Sequence, residues 1–240
     1  MNFKITDKNG ARLNTAQKYC EEDIIVTIDE SVFSDIGFEK YNGSYLEIND
    51  DINITLPSDY HLLNYIESNG NQFIDTEYIM TTDSEIEIQL EPITYNTSAK
   101  MGFLGSYETN IMYQLYASGS GNKMFYSTFG GKTYISTMEY SVGAKYNISM
   151  NSNSIMINTY KYTYNVETIN DATKSLYLFY RNDTGAKAEM KLYYCKIYKR
   201  DTLMRHFVPC LRREDSVVGL YDLVNNKFYA SNTSDGFIGG

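Results

Sequence analysis

Leu192-Tyr193-Tyr194-Cys195-Lys196-Ile197-Tyr198, then Leu203-Met204-Arg205-His206-Phe207-Val208-Pro209-Cys210, begin the run that decides the fold of this 240-residue chain. Gly219-Leu220-Tyr221-Asp222-Leu223-Val224-Asn225-Asn226-Lys227-Phe228-Tyr229 follows, and Gly236-Phe237-Ile238-Gly239-Gly240 closes it. Phe207-Val208-Pro209-Cys210 reads as an extended segment ending at a sheet edge, because proline cannot donate to an interior ladder. Asn225-Asn226-Lys227 reads as a hairpin turn between Leu220-Tyr221-Asp222-Leu223 and Phe228-Tyr229, since paired asparagines tolerate positive φ. These residues read as fold determinants rather than as a binding site.

The same pattern extends toward the N-terminus. Ser84 to Glu91 alternates, with Ile86, Ile88 and Leu90 on one face. Ile155 and Ile157, then Tyr160, Tyr162, Tyr164 and Val166, keep a period of two. Leu176-Tyr177-Leu178-Phe179-Tyr180 is apolar on both faces, as in a central strand of a two-layer sandwich. Asn151 to Ser154 and Asn182-Asp183-Thr184-Gly185 are turns. No long apolar segment has helical periodicity. About a dozen strands, turns every 8–12 residues and no helical crossovers predict an antiparallel β-sandwich of jelly-roll type over residues 59–240. Ile86, Ile88, Leu90, Leu176 and Leu178 are expected to face inward.

Residues 1–58 read as a small β-rich N-terminal attachment module. Phe3, Ile5, Ile24, Val26 and Ile28 suggest two short strands, with an Asn9-Gly10 turn signal between them. Tyr45-Leu46-Glu47-Ile48 and Ile52-Asn53-Ile54-Thr55-Leu56 read as further strands. Pro57-Ser58-Asp59 marks the boundary.

Composition narrows the function. The 24 Tyr and 11 Phe, without Trp, favour strands. A net charge of −9 repels phosphate backbones, and the short cationic cluster Lys196, Lys199, Arg200, Arg205, Arg212 and Arg213 is diluted by Glu214 and Asp215. Nucleic acid is not an expected partner. No apolar signal core or membrane-length run is present, so membrane insertion is not expected. Cys20, Cys195 and Cys210 read as small buried thiols, with a Cys195–Cys210 bridge as the alternative. His61 and His206 are the two imidazoles, and no Cys-x-x-Cys occurs, so neither zinc nor another cofactor is expected.

Four chemistries can be weighed on residues alone. Glu85, Glu87 and Glu91 share one strand face, the arrangement a retaining glycosidase needs if two carboxyl groups approach to about 5–5.5 Å. The simpler reading is the wet face opposite Ile86, Ile88 and Leu90, because acid and base roles require opposed environments. Serine-triad and phosphate-loop chemistry lack their motifs: there is no Gly-x-Ser-x-Gly, and Gly130-Gly131-Lys132-Thr133 lacks the preceding glycine. Tyr107, Tyr113, Tyr116, Tyr126 and Tyr134 accompany Gln114 and Asn122 in a glycine-rich stretch. Rigid aromatic faces with polar tips beside adaptable amides suit a sugar-binding surface, and these seven residues are the candidate ligand-binding set.

The C-terminal block order, with an opening signature Leu63-Asn64-Tyr65-Ile66-Glu67-Ser68-Asn69-Gly70-Asn71-Gln72-Phe73-Ile74-Asp75-Thr76, resembles a laminin-G-like, concanavalin-A-like domain of phage and prophage proteins. The resemblance runs from Leu62 to Gly240 and is weakest between Tyr95 and Tyr140, where such domains carry variable loops. It departs at Glu77, where a glycine is usual, and at His206, where an acid is usual. Lys8-Asn9-Gly10, Thr15 to Cys20 and Ile24 to Thr27 are similar to short modules of phage tail-associated proteins. The resemblance implies a non-enzymatic virion component of tail, baseplate or fibre, assembled in the bacterial cytoplasm. Its sandwich would bind host-surface glycan or protein, and its N-terminal module other virion proteins, with a homotrimer as the expected oligomer. A purely structural capsid decoration or head fibre, and a glycan-processing enzyme, are the alternatives.

Overall fold

In the computed structural model, described over residues 4–7, 24–27, 54–95, 100–117, 123–131, 135–164, 168–182 and 187–240, the chain divides into two units, Met1–Thr55 and Leu56–Gly240. In the first, β1 (Lys4–Asp7) pairs antiparallel with β2 (Ile24–Thr27), Lys4 opposite Thr27 and Asp7 opposite Ile24. The Asn9-Gly10 turn and Tyr45–Ile48 lie outside the described residues. Ile54, Thr55 and Leu56 carry no strand, so the one expected over Ile52–Leu56 is not formed there. Pro57 instead opens a turn, its carbonyl accepting the Tyr60 amide at 2.9 Å.

The second unit is built of strands, with no helix among the described residues. Its larger sheet runs β13 (Tyr160–Thr163), β12 (Ser154–Ile157), β11 (Tyr146–Met150), β6 (Ser84–Pro92), β15 (Glu189–Lys199), β16 (Thr202–Arg212), β17 (Val217–Asp222), β18 (Lys227–Tyr229). Three short strands complete its eleven: β3 (Tyr60–Leu62) on β16, β4 (Ile66–Asn69) on β15 and β19 (Ile238–Gly239) on β4. The second sheet has six strands, β10 (Ile135–Glu139), β9 (Met124–Gly131), β8 (Ile111–Ala117), β7 (Met101–Glu108), β14 (Ser175–Leu178) and β5 (Ile74–Ile79). All strand pairs are antiparallel. Sequence-distant neighbours such as β6 with β15, and β7 with β14, give the crossing connections of a jelly roll.

Alternation builds the core. Ile86, Ile88 and Leu90 are fully buried, level with Ile197, Cys195 and Leu192 on one side and Met150, Ile148 and Tyr146 on the other. The six-stranded sheet answers with Ile74, Phe103, Leu115, Phe125, Phe129, Leu176 and Leu178. The two layers meet where Phe125 contacts Tyr146 edge-on at 5.2 Å and where the Ser127 hydroxyl bonds the Tyr164 phenol. Each fully buried Ile or Leu contributes about 1.5–3 kcal/mol. The inward set read from the sequence is thus the observed one.

Two local expectations change, and the reading of Cys195 and Cys210 as buried thiols is met. Pro209 does not end its strand: it lies inside β16, opposite Leu220. Its missing donor is tolerated because β16 changes partner there, from β15 up to Phe207 to β3 from Cys210. Leu176–Tyr180 is strand only to Leu178, where Phe179 takes φ +65° and turns the chain out of the sheet. Cys195 and Cys210 are free and buried, so the bridge does not form; burial pushes the Cys210 thiol up to about 12. Cys20 lies outside the described residues.

Candidate ligand-binding face

Parity decides which tyrosines share the outer face of the six-stranded sheet. On β8, Tyr113, Leu115 and Ala117 join the core, so Met112, Gln114 and Tyr116 point to the outer side of the six-stranded sheet. Gln114 stands opposite Gly105 of β7 and Thr128 of β9; Tyr116 stands opposite Gly102 and Tyr126; Met112 stands opposite Tyr107. The outer face therefore gathers Tyr107, Gln114, Tyr116 and Tyr126 from the seven expected residues. These lie on strands, not in the loops the resemblance implied. Tyr113 faces the other way, against Phe129 at 4.8 Å, its hydroxyl donating to the Asn170 carbonyl at 2.6 Å. Asn122 and Tyr134 lie outside the described residues.

Arg181, which the sequence reading did not single out, sits at the centre of this face. The turn at Phe179 carries residues 180–182 back over the sheet, and the Tyr107 amide donates to Asn182 Oδ1 at 2.8 Å. Arg181 is 5% exposed, its Cζ 5.2 Å from the Tyr107 ring and 4.9 Å from the Tyr116 ring. Gly105 makes room for it: a Cβ there would lie 2.8 Å from Arg181 Cγ and 3.3 Å from Gln114 Cβ. A glycine inside a strand is the sequence signal for such close approach. Tyr116 stacks on Tyr126 at 5.4 Å, and Lys100 Nζ lies 5.6 Å from the Tyr116 ring. Burial pushes the Arg181 guanidinium down; burial and then Arg181 itself push the Lys100 ammonium down.

The stripe continues across β14 and β5. Tyr177, opposite Gly105, meets Phe73 at 5.4 Å and Tyr180 at 5.9 Å, and Lys187 lies over Phe73 at 5.3 Å. Tyr107, Tyr126, Phe73, Tyr177 and Tyr180 are half-buried and form a rim; Tyr116, Gln114, Thr128 and Arg181 form a buried floor. In that floor Gln114 Oε1 and Thr128 Oγ1 have no hydrogen-bond partner among the described residues. Buried polar atoms are almost always paired, and exceptions concentrate where a water or ligand belongs.

The three glutamates fare differently on the outer face of the eleven-stranded sheet. Ser149 donates to Glu85 at 3.2 Å and Tyr198 to Glu87 at 3.1 Å. Tyr193 donates to Glu91 at 2.6 Å, with Lys191 3.5 Å away. Each is engaged across the strands. The exit motif has a structural role: buried Asp222 accepts the His206 and Val224 amides and the Asn225 side chain, with Arg205 Nε at 3.5 Å. Among the described residues no three His, Cys, Asp or Glu gather as a metal site.

No family model and no curated protein matches the chain. Among solved structures it is similar to the heptameric SAP-like pentraxin of Limulus polyphemus, with TM-score 0.40 and 10% identity over 76% of this chain and 92% of that one. It is also similar to Trypanosoma rangeli sialidase in complex with sialic acid, with TM-score 0.42 and 12% identity over 60% of this chain. A mutant of that sialidase displaying trans-sialidase activity gives TM-score 0.38 and 13% identity over 50% of this chain. The matches span 27% and 21% of the two sialidase chains. The sandwich assignment rests on this chain's own sheet order and shared core.

Proposed function

We propose that the second unit is a lectin-like binding module of a phage virion, and that it holds host-surface glycan on the outer face of the six-stranded sheet. The observation that carries this reading is the combination on one face of a half-buried aromatic rim with a buried floor in which Gln114 Oε1 and Thr128 Oγ1 are unpaired among the described residues. Sugar rings present apolar C–H faces and a fringe of hydroxyl donors. Tyrosine rims and buried acceptors answer both. The glutamates of the opposite face are already hydrogen-bonded to neighbours, which favours binding over hydrolysis.

The test is binding of the full chain to an array of bacterial-surface and mucin glycans. Selective binding, reduced at least about tenfold when Tyr107 and Tyr126 are both replaced by alanine, is expected, because several aromatic contacts of about 1 kcal/mol are removed together. No binding to any glycan overturns the reading. The virion assignment has a separate test. Deleting residues 1–58 is expected to leave the sandwich soluble but absent from particles. Wild-type incorporation of the truncated chain would give the anchoring role to the sandwich.

A further inference from the structure

The main path of each sheet ends in two edge strands, and three of these edges are bent or tied. In the six-stranded sheet β10 pairs with β9 through a register shift between Ser136 and Glu139, and β5 pairs with β14 through a shift between Ser175 and Tyr177. In the eleven-stranded sheet β18 is held by the ion pair from Lys227 to Glu77 of β5. Irregularities and cover of this kind keep an edge from pairing with another chain. At the opposite edge β13 pairs with β12 without a shift, from Ser154 opposite Thr163 to Ile157 opposite Tyr160. Among the described residues no strand pairs with its outer side, where Tyr160 is 60% exposed.

The ladder shows which backbone groups of β13 face outward. The Tyr164 amide donates to the Asn153 carbonyl at 2.9 Å, and bonded and non-bonded pairs alternate along an antiparallel pair. Tyr160, Tyr162 and Tyr164 therefore bond back toward β12, while Lys161 and Thr163 turn their N–H and C=O groups away from it. Both residues are exposed. Each offers a donor and an acceptor along one regular edge, which is what an added antiparallel strand requires.

The residues of this edge fit a second copy of themselves. Two antiparallel copies related by a twofold axis at Lys161 would set one ammonium opposite the other, which is destabilising. An axis at Thr163 would carry Lys161 past the end of the partner's strand. An axis at Tyr162 sets Lys161 opposite the partner's Thr163, and by symmetry Thr163 opposite the partner's Lys161. Both pairs then exchange both of their N–H···O bonds. Tyr162 meets the partner's Tyr162 in the non-bonded position, where side chains approach most closely, and aromatic cross-strand pairs are favourable. Exposed Tyr160 is carried opposite the partner's Tyr164. We infer that β13 is a homodimer interface: two copies join their eleven-stranded sheets edge to edge, in antiparallel register about Tyr162. The contact is isologous, and Lys161 fixes its register.

The experiment is sedimentation velocity of the full chain. A short strand pair is a weak contact, so reversible association in steps of two is expected between about 5 and 500 µM. Lys161→Pro removes a donor that faces the second copy and none that faces β12, so the fold is kept and the two-copy step is lost. Thr163 tests the register, because each substitution there acts twice about the axis. Thr163→Lys is expected to raise the dissociation constant about three- to tenfold at low salt, and Thr163→Glu to lower it by a similar factor, since each stands opposite the partner's Lys161. Should Lys161→Pro lose the wild-type circular dichroism spectrum, the two Thr163 variants decide alone. A chain that stays monomeric over this range overturns the inference. So does an association that a folded Lys161→Pro leaves unchanged, as a trimer held by residues 1–58 would be. Thr163→Lys and Thr163→Glu shifting the affinity in the same direction, or not at all, overturn the twofold register and the self-pairing with it.

Discussion

The outer faces of the two sheets are made by the same rule and end in different states. On β6 alternation turns Glu85, Glu87, Gln89 and Glu91 outward, and each finds a partner on the next strand: Ser149, Tyr198, Asn147 and Tyr193. On β8 alternation turns Gln114 and Tyr116 outward, but the chain after β14 folds back and buries them with Arg181. Acids in a row suggested chemistry, yet they are cross-strand pairs of the kind that stabilise any open sheet by a few tenths to about 1 kcal/mol each. The face with buried, unpaired polar atoms carries the uncompensated cost, and uncompensated cost is what a ligand can relieve. Residue type alone does not separate the two faces; the state of their hydrogen bonds does.

The largest expected effect comes from removing the seat of Arg181. Gly105→Val places side-chain atoms where Arg181 Cγ and Gln114 Cβ already stand. The guanidinium is then displaced, and glycan affinity falls by more than about tenfold, with overpacking costing about 1–3 kcal/mol of stability. Calorimetric titration and thermal melts measure both. Wild-type affinity in this variant would show that the floor of the face is not the binding site. Tyr116→Ala comes next. It removes the ring shared by Tyr126, Arg181 and Lys100, and about a tenfold loss of affinity is expected from one ring with its cation contacts.

Thr128→Val sharpens the comparison by separating stability from binding. Its hydroxyl is buried without a partner among the described residues, so the nearly isosteric valine removes a desolvated polar atom. Stability is expected to hold or rise by up to about 1 kcal/mol while affinity falls a few-fold. A clear loss of stability would mean that the hydroxyl is satisfied in the free protein, and the floor would lose its claim to a ligand.

The sandwich was legible because its signal is local. Ser84 to Pro92 writes its period of two into adjacent residues, and any register that buries Ile86 buries Ile88 and Leu90. Asn226 at φ +53° marks the turn to which its asparagines pointed, whereas Glu77 at φ +55° lies inside β5, where the pairing with β14 is irregular, at the position where the resemblance has a glycine. At Glu77 the left-handed backbone is accompanied by an ion pair to Lys227, which ties β5 to β18 and joins the edges of the two sheets. Half of the candidate site was legible for the same local reason. Parity already places Tyr113 with Leu115 and Ala117, opposite to Gln114 and Tyr116. Arg181 was not legible, because its place depends on a positive φ at Phe179 and on the absence of a side chain at Gly105, which lies on the neighbouring strand but 76 residues from Arg181 in sequence.

Glu87→Gln is expected to do least, and for that reason it tests the contrast between the faces most directly. The side chain lies on the half-exposed outer surface of the eleven-stranded sheet and accepts one hydrogen bond, from Tyr198. Glutamine keeps an acceptor oxygen and nearly the same volume. An exposed pair of this sort is worth at most about 1 kcal/mol, and the retained hydrogen bond reduces the change to within about 0.5 kcal/mol. Glycan affinity should equal that of the wild type if, as proposed, the ligand is held on the opposite side of the sandwich. Thermal melts and the same glycan titration measure both. Should the variant lose binding, or abolish a glycan hydrolysis that the wild type performs, the acids of β6 would be the working site. The two faces would then exchange roles.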